Sequence, residues 1–160
     1  MNAARLPRVL LLCALWQLAG CASPTAGPGL AAFQTDGCSL FPERRADGSA
    51  DWCACCVQHD LAYWAGGTAA QRLQADEALR ACVQAASGSA VLAGLMFAGV
   101  RIGGGPSLAT PFRWGYGWPH YRAYGEPAAD EAAQLAARQP AAQATAAAAM
   151  GSPACPVPVR

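Results

Sequence analysis

His59, Asp60 and Tyr63 follow directly on the paired Cys55-Cys56, and Asp76 comes thirteen residues after Tyr63. An imidazole with one nitrogen held by a carboxylate keeps its other nitrogen free to accept a proton, which is how a general base works near neutral pH. His59 and Tyr63, four residues apart, share one face of a helix. Asp60 lies roughly 100° around that helix from His59. It therefore cannot be a second carboxylate for the same ring, and is left to solvent or to a hard cation, which takes oxygen ligands. The chemistry on offer is general-base catalysis. The plainer alternatives are a hydrogen-bonded helix histidine and a solvated surface acid. Spacing alone favours them; the double cysteine together with Asp60, Tyr63 and Asp76 tips the reading toward a site.

Two helices must position these groups. Asp51 is a plausible N-cap for the first, and Gly66-Gly67 stops it. Thr68 followed by Gln71 forms a capping box for the second, which Ser87-Gly88 closes. Helices joined by so short a turn lie antiparallel, so facing residues have numbers that add to a constant. A turn centred on Thr68 sets that constant near 137, the value for Cys55 and Cys82, which could face each other and bridge. Asp76 then faces position 61, midway between His59 and Tyr63. The register aims one carboxylate at an imidazole and a phenol together.

The run Cys55-Cys56-Val57-Gln58-His59-Asp60-Leu61-Ala62-Tyr63 resembles the catalytic helix of the secreted phospholipase A2 family, whose pattern is C-C-x-x-H-D-x-C-Y. The second helix is similar too, with Asp76 six residues before Cys82. The resemblance implies that His59 is the base that activates water, that Asp76 and Tyr63 orient it, and that Asp60 is a calcium-binding carboxylate. It also implies that Cys55 pairs with Cys82 and Cys56 with Cys38. The family's cysteine between Asp and Tyr is Ala62 here, and its usual partner is Ala75, so both ends of one bridge are missing together. The insertion between the helices has shrunk to Gly66–Gln71. The family's calcium loop is Gly-rich after a Cys, whereas Thr35-Asp36-Gly37-Cys38-Ser39-Leu40 has Gly before the Cys and none after it. Calcium takes six to eight oxygens, so carbonyls of Asp36, Gly37, Cys38, Ser39 and Leu40 are the expected supplement to Asp60. The resemblance spans Asp36 to Cys82, under a third of the chain. It implies calcium-dependent hydrolysis of a glycerophospholipid ester by water, without a covalent intermediate. The competing expectation is a non-catalytic envelope lipoprotein that keeps the scaffold.

Cys53, Cys55, Cys56, His59 and His120 do not make a zinc site, because adjacent helical cysteines splay apart and no paired C-x-x-C is present. His120 is assigned no role. Ala90 to Ile102 is an apolar run of thirteen, too short to cross a bilayer, and reads as a helix packed on the hairpin. Leu92, Leu95, Met96 and Phe97 could line an acyl chain, although large apolar residues are more often core. Phe112, Trp114, Tyr116 and Trp118 alternate with Arg113, Gly115, Gly117 and Pro119, which predicts a short extended segment with an aromatic face. That face suits either membrane contact or packing over the helices.

Arg5 and Arg8 precede the apolar stretch Val9 to Leu18, and Leu18-Ala19-Gly20-Cys21 resembles a bacterial lipobox. The resemblance implies cleavage before Cys21 and lipidation of that cysteine, with Ala22 after it favouring an outer-membrane anchor that faces the periplasm. Removing residues 1–20 leaves nine Arg against ten acids and, beside Cys21, six cysteines. Among those, Cys53 and Cys155 are left over from the pairings that the resemblance implies, and could pair with each other. The chain contains no lysine, and its near-zero charge excludes a nucleic-acid backbone as partner. Residues 21–32 form a Pro/Gly-rich tether, 33–124 the folded domain, and 125–160 an Ala/Pro-rich tail expected to be disordered for want of large apolar residues. A mainly α, disulfide-supported monomer at a phospholipid interface is the expectation.

Overall fold

The structure is a computed structural model that describes residues 29–119 and 121–152. Residues 1–20, Cys21, His120 and Cys155 lie outside the described residues, and with them the signal, the lipid anchor and the pairing of Cys53 with Cys155. The protein is mainly helical, with α1 at Cys53–Ala65, α2 at Ala69–Ser87, α3 at Ala90–Gly103 and α4 at Ala129–Met150. Among the described residues there is no strand, only an isolated antiparallel bridge between Arg44 and Asp51.

The caps lie close to where the sequence puts them. The Thr68 hydroxyl accepts the Gln71 N–H while the Gln71 side chain accepts the Thr68 N–H, completing the capping box of α2. Gly88 ends α2 in the left-handed conformation, at φ 69°. Asp51 sits one position too early to be the N-cap of α1; Trp52 holds that position, and Asp51 Oδ1 accepts the Cys53 N–H at 2.9 Å. Disulfides join Cys55 to Cys82 and Cys38 to Cys56. The first ties the open end of the α1–α2 hairpin, and the second ties α1 to the upstream loop.

α3 packs on α2, and α4 packs on α1. Between α1, α2 and α3 the core holds Cys38, Trp52, Leu79, Val83, Ala93 and Met96 around the disulfides. On the other side of α1, Leu30, Phe33, Val57, Trp64 and Trp118 pack against Ala142 and Ala146. No helix of the described residues is long and apolar enough to cross a membrane.

Two expectations are corrected. Residues 129–150 are a 22-residue helix and not a disordered tail. Alanine is the strongest helix former, and its small side chain lets α4 approach the aromatic side of α1 without large anchors of its own. Ala142 and Ala146, one turn apart, are buried there, and Gln134 Oε1 accepts the Leu30 N–H at 3.0 Å. The Glu131 carboxylate accepts both the Ala128 N–H and Arg122 Nη2, which fixes the helix start. The aromatic segment is also not extended: residues 111–119 run through successive turns. Its glycines explain the difference. Gly115 adopts φ 75°, and its N–H binds Tyr63 O at 2.7 Å, so the segment folds onto the end of α1 with Trp114 and Trp118 buried.

Candidate functional site

The helical register delivers Asp76 between His59 and Tyr63. His59 Nε2 lies 2.8 Å from Asp76 Oδ1, and the Tyr63 hydroxyl donates to the same oxygen at 2.7 Å. All three residues are buried, Asp76 completely. Two arginines complete the cluster. Arg101 Nη1 donates to Asp76 Oδ2 at 2.6 Å, and Arg72 Nε lies 3.8 Å from that oxygen while donating to the Tyr63 hydroxyl at 2.9 Å. The rest of the Arg72 guanidinium reaches Val100 O, Arg101 O and the Tyr124 hydroxyl, so it also closes the end of α3. Burial alone would push the Asp76 carboxyl up. Hydrogen bonds from His59, Arg101 and Tyr63 outweigh it and hold the group below the ordinary carboxylate value.

An ionised carboxylate can only accept hydrogen bonds. Asp76 therefore places the proton of a neutral His59 ring on Nε2, which leaves Nδ1 with its lone pair. Burial is also the main reason that the Tyr63 phenol is pushed up, so this hydroxyl stays a donor across the physiological range.

His59 forms part of the wall of a cavity of about 200 Å³ whose other walls include Leu40, Phe41, Met96, Val100 and Phe112. Of the four residues expected to line an apolar ligand, Met96 does so; Leu95 on α3 points largely to solvent. Gly104 is needed at the cavity's edge, because a Cβ there would stand 2.5 Å from Tyr63 Cε1. Ala62 and Ala75 line a shared groove between α1 and α2, which also reaches His59.

Asp60 shares the first cavity with Gly37, Cys38, Ser39 and Leu40 of the upstream loop. Positive φ at Gly37 and Ser39 turns that loop back on itself, and Cys38 is fastened to Cys56 on α1. The Thr35 hydroxyl donates to Asp60 Oδ2 at 2.6 Å and accepts the Gly37 N–H at 3.1 Å, so one side chain joins loop and carboxylate. Asp36 Oδ1 accepts the Ser39 hydroxyl. Burial pushes the Asp60 carboxyl up to about 8; the Thr35 hydrogen bond opposes the rise and the nearby Asp36 charge adds to it.

Among the described residues no group of three or more His, Cys, Asp or Glu side chains is arranged to hold a metal. A cation at Asp60 would have to rest on one or two carboxylates with hydroxyl and carbonyl oxygens from the Thr35–Leu40 loop. That is a hard-oxygen set of the kind calcium takes. A carboxylate made costly to ionise, beside a second acid, is also one that a cation would relieve. The residues fit calcium on those two grounds.

Sequence reasoning missed Arg72, Arg101 and the bond from Thr35. Arg72 had a local signal, four residues before Asp76 on one helix face. Arg101 had another, as the only charged residue of the apolar helix α3. Compared with protein-family models, curated proteins and solved structures, the chain matches none.

Proposed function

We propose that this chain is a calcium-dependent hydrolase of glycerophospholipid esters, held at a bacterial envelope membrane by lipid on Cys21. The observation that carries the reading is the His59 ring, bound through Nε2 to Asp76 at 2.8 Å and facing an apolar cavity that it shares with Asp60. His59 Nδ1 would take a proton from water as the water attacks the ester carbonyl, and Asp76 would stabilise the imidazolium that forms. Tyr63 and the two arginines fix the Asp76 carboxylate, so the ring keeps one orientation through the proton transfer. Asp60 and the backbone carbonyls of Asp36, Gly37, Cys38, Ser39 and Leu40 would hold calcium. That ion supplies positive charge for the substrate phosphate and for the oxyanion. The resemblance of residues 36–82 to the secreted phospholipase A2 family supports the same reading.

The test is fatty-acid release from phospholipid vesicles by the full chain, with and without calcium. Release should require calcium and fall by about 10²–10⁴-fold in His59→Gln, the range for loss of a general base. Release untouched by His59→Gln or by chelation overturns the mechanism. A folded protein with neither release nor calcium binding favours the non-catalytic lipoprotein.

A further inference from the structure

We propose that the pocket on the far side of Asp60 receives a cationic lipid head group, so that phosphatidylethanolamine and phosphatidylcholine are favoured over phosphatidylglycerol. The inference rests on the hydrolase reading and names the substrate class of that same site.

Asp60 and Phe112 line two cavities. One is the apolar cavity at His59. The other, of about 230 Å³, is lined also by Gln34, Thr35, Asp36, Pro111 and Tyr116. A phospholipid is built in the same sequence, with apolar chains, then ester and phosphate, then head group. With chains in the first cavity and phosphate at Asp60, the head group falls in the second. The lining there consists of two carboxylates, two aromatic rings and neutral polar groups, with no arginine. The Tyr116 ring is held in place by its hydroxyl, which donates to Gln34 O.

Charge counting selects the ligand. A calcium ion, the Asp60 carboxylate and one phosphodiester sum to zero, which leaves Asp36 unbalanced. An ammonium two carbons beyond the phosphate neutralises Asp36 and can rest on the faces of Phe112 and Tyr116, the surroundings that cations prefer. A glycerol head group brings no charge to meet Asp36.

The experiment measures calorimetric binding to full-chain His59→Gln in calcium, using monomeric dihexanoyl lipids so that vesicle charge plays no part. Dihexanoyl-phosphatidylethanolamine and -choline should bind about tenfold more tightly than the -glycerol lipid, equivalent to about 1.4 kcal/mol. Asp36→Asn should bring that ratio to within about twofold, since it removes the unbalanced charge. Phe112→Leu, which leaves the charges in place, should lower it partway and serves if Asp36→Asn does not fold. Equal binding, tighter binding of the glycerol lipid, no binding of any lipid, or a ratio untouched by the variants overturns the proposal. Equally tight binding of chain-free glycerophosphoethanolamine overturns it too, by assigning the pocket to a soluble phosphodiester. Wild-type fatty-acid release settles the other question: a retained ratio without release defeats hydrolysis alone, and release with equal binding defeats head-group selection alone.

Discussion

Two carboxylates flank His59, one by chain and one by fold, and they have opposite fates. Burial pushes both carboxyls up, yet the Asp76 pKa is lowered while that of Asp60 is raised to about 8. The donors decide which way each goes: Asp76 collects His59, Tyr63 and Arg101, with Arg72 close by, whereas Asp60 has the Thr35 hydroxyl and the like charge of Asp36. One carboxylate is completed by the protein itself. The other is built at a cost that an external cation would remove.

Breaking the completed side should have the largest effect on stability. Asp76→Ala strips His59, Tyr63 and Arg101 of a shared acceptor and leaves buried charge without its counterion. The expected loss is about 3–5 kcal/mol in denaturant unfolding, the range for removing one partner of a buried ion pair. Asp76→Asn keeps the shape and should lose less stability. Because it cannot stabilise an imidazolium, it should still lose most of any hydrolytic activity.

The incomplete side should respond to calcium. At a calcium concentration 100 times the dissociation constant, the wild-type chain should gain about 2.7 kcal/mol of unfolding free energy. Asp60→Asn should gain none, and a calcium-induced rise in its melting temperature would detach Asp60 from the ion. Without calcium the comparison inverts: at pH 9 Asp60→Asn should melt above wild type, and at pH 4 the difference should vanish.

The pH dependence follows from the same contrast. Asp60 titrates near 8 when folded and near 3.9 when unfolded. Between those values the folded chain holds the extra proton, so this group lowers stability as pH rises, and the loss levels off above about 8. Asp76 does the opposite: it contributes stability above about pH 3.9 that disappears as acid protonates the folded carboxylate. Calcium must displace the Asp60 proton below pH 8. Its apparent affinity should therefore rise about tenfold per pH unit up to that point, with proton release measurable by calorimetry in buffers of different ionisation enthalpy.

The completed side was the more legible in the sequence. The Thr68–Gln71 box and Gly88 set the turn and the end of α2, and Cys55 with Cys82 sets the register, so Asp76 could be aimed at His59 and Tyr63 from numbering alone. Its arginines were harder to read, because Arg101 reaches Asp76 from a third helix and the register of α3 on α2 has no cysteine to mark it. The incomplete side depends on loop torsions at Gly37 and Ser39, and no periodicity encodes those. α4 was misjudged for a different reason. Its docking lies in the fit of Ala142 and Ala146 against large residues elsewhere, and in hydrogen bonds made by Gln134 and Glu131, none of which a count of its own apolar volume reveals.

The smallest expected effect sharpens the contrast most. Thr35→Val keeps the side-chain shape and removes the one hydroxyl that the protein gives Asp60. The same change frees the Gly37 N–H, so the loop loses a tie at the point where it approaches the carboxylate. Both effects disfavour the ionised, cation-ready arrangement. The Asp60 pKa should rise further, and calcium binding at pH 7 should weaken by about fivefold, or about 1 kcal/mol, the usual net worth of one hydrogen bond. Stability in the absence of calcium should fall by about 1 kcal/mol at every pH through the lost Gly37 tie. A hydroxyl that mattered only to the loop would give that loss alone, with unchanged calcium affinity. Calcium titration of Thr35→Val at two pH values separates the two.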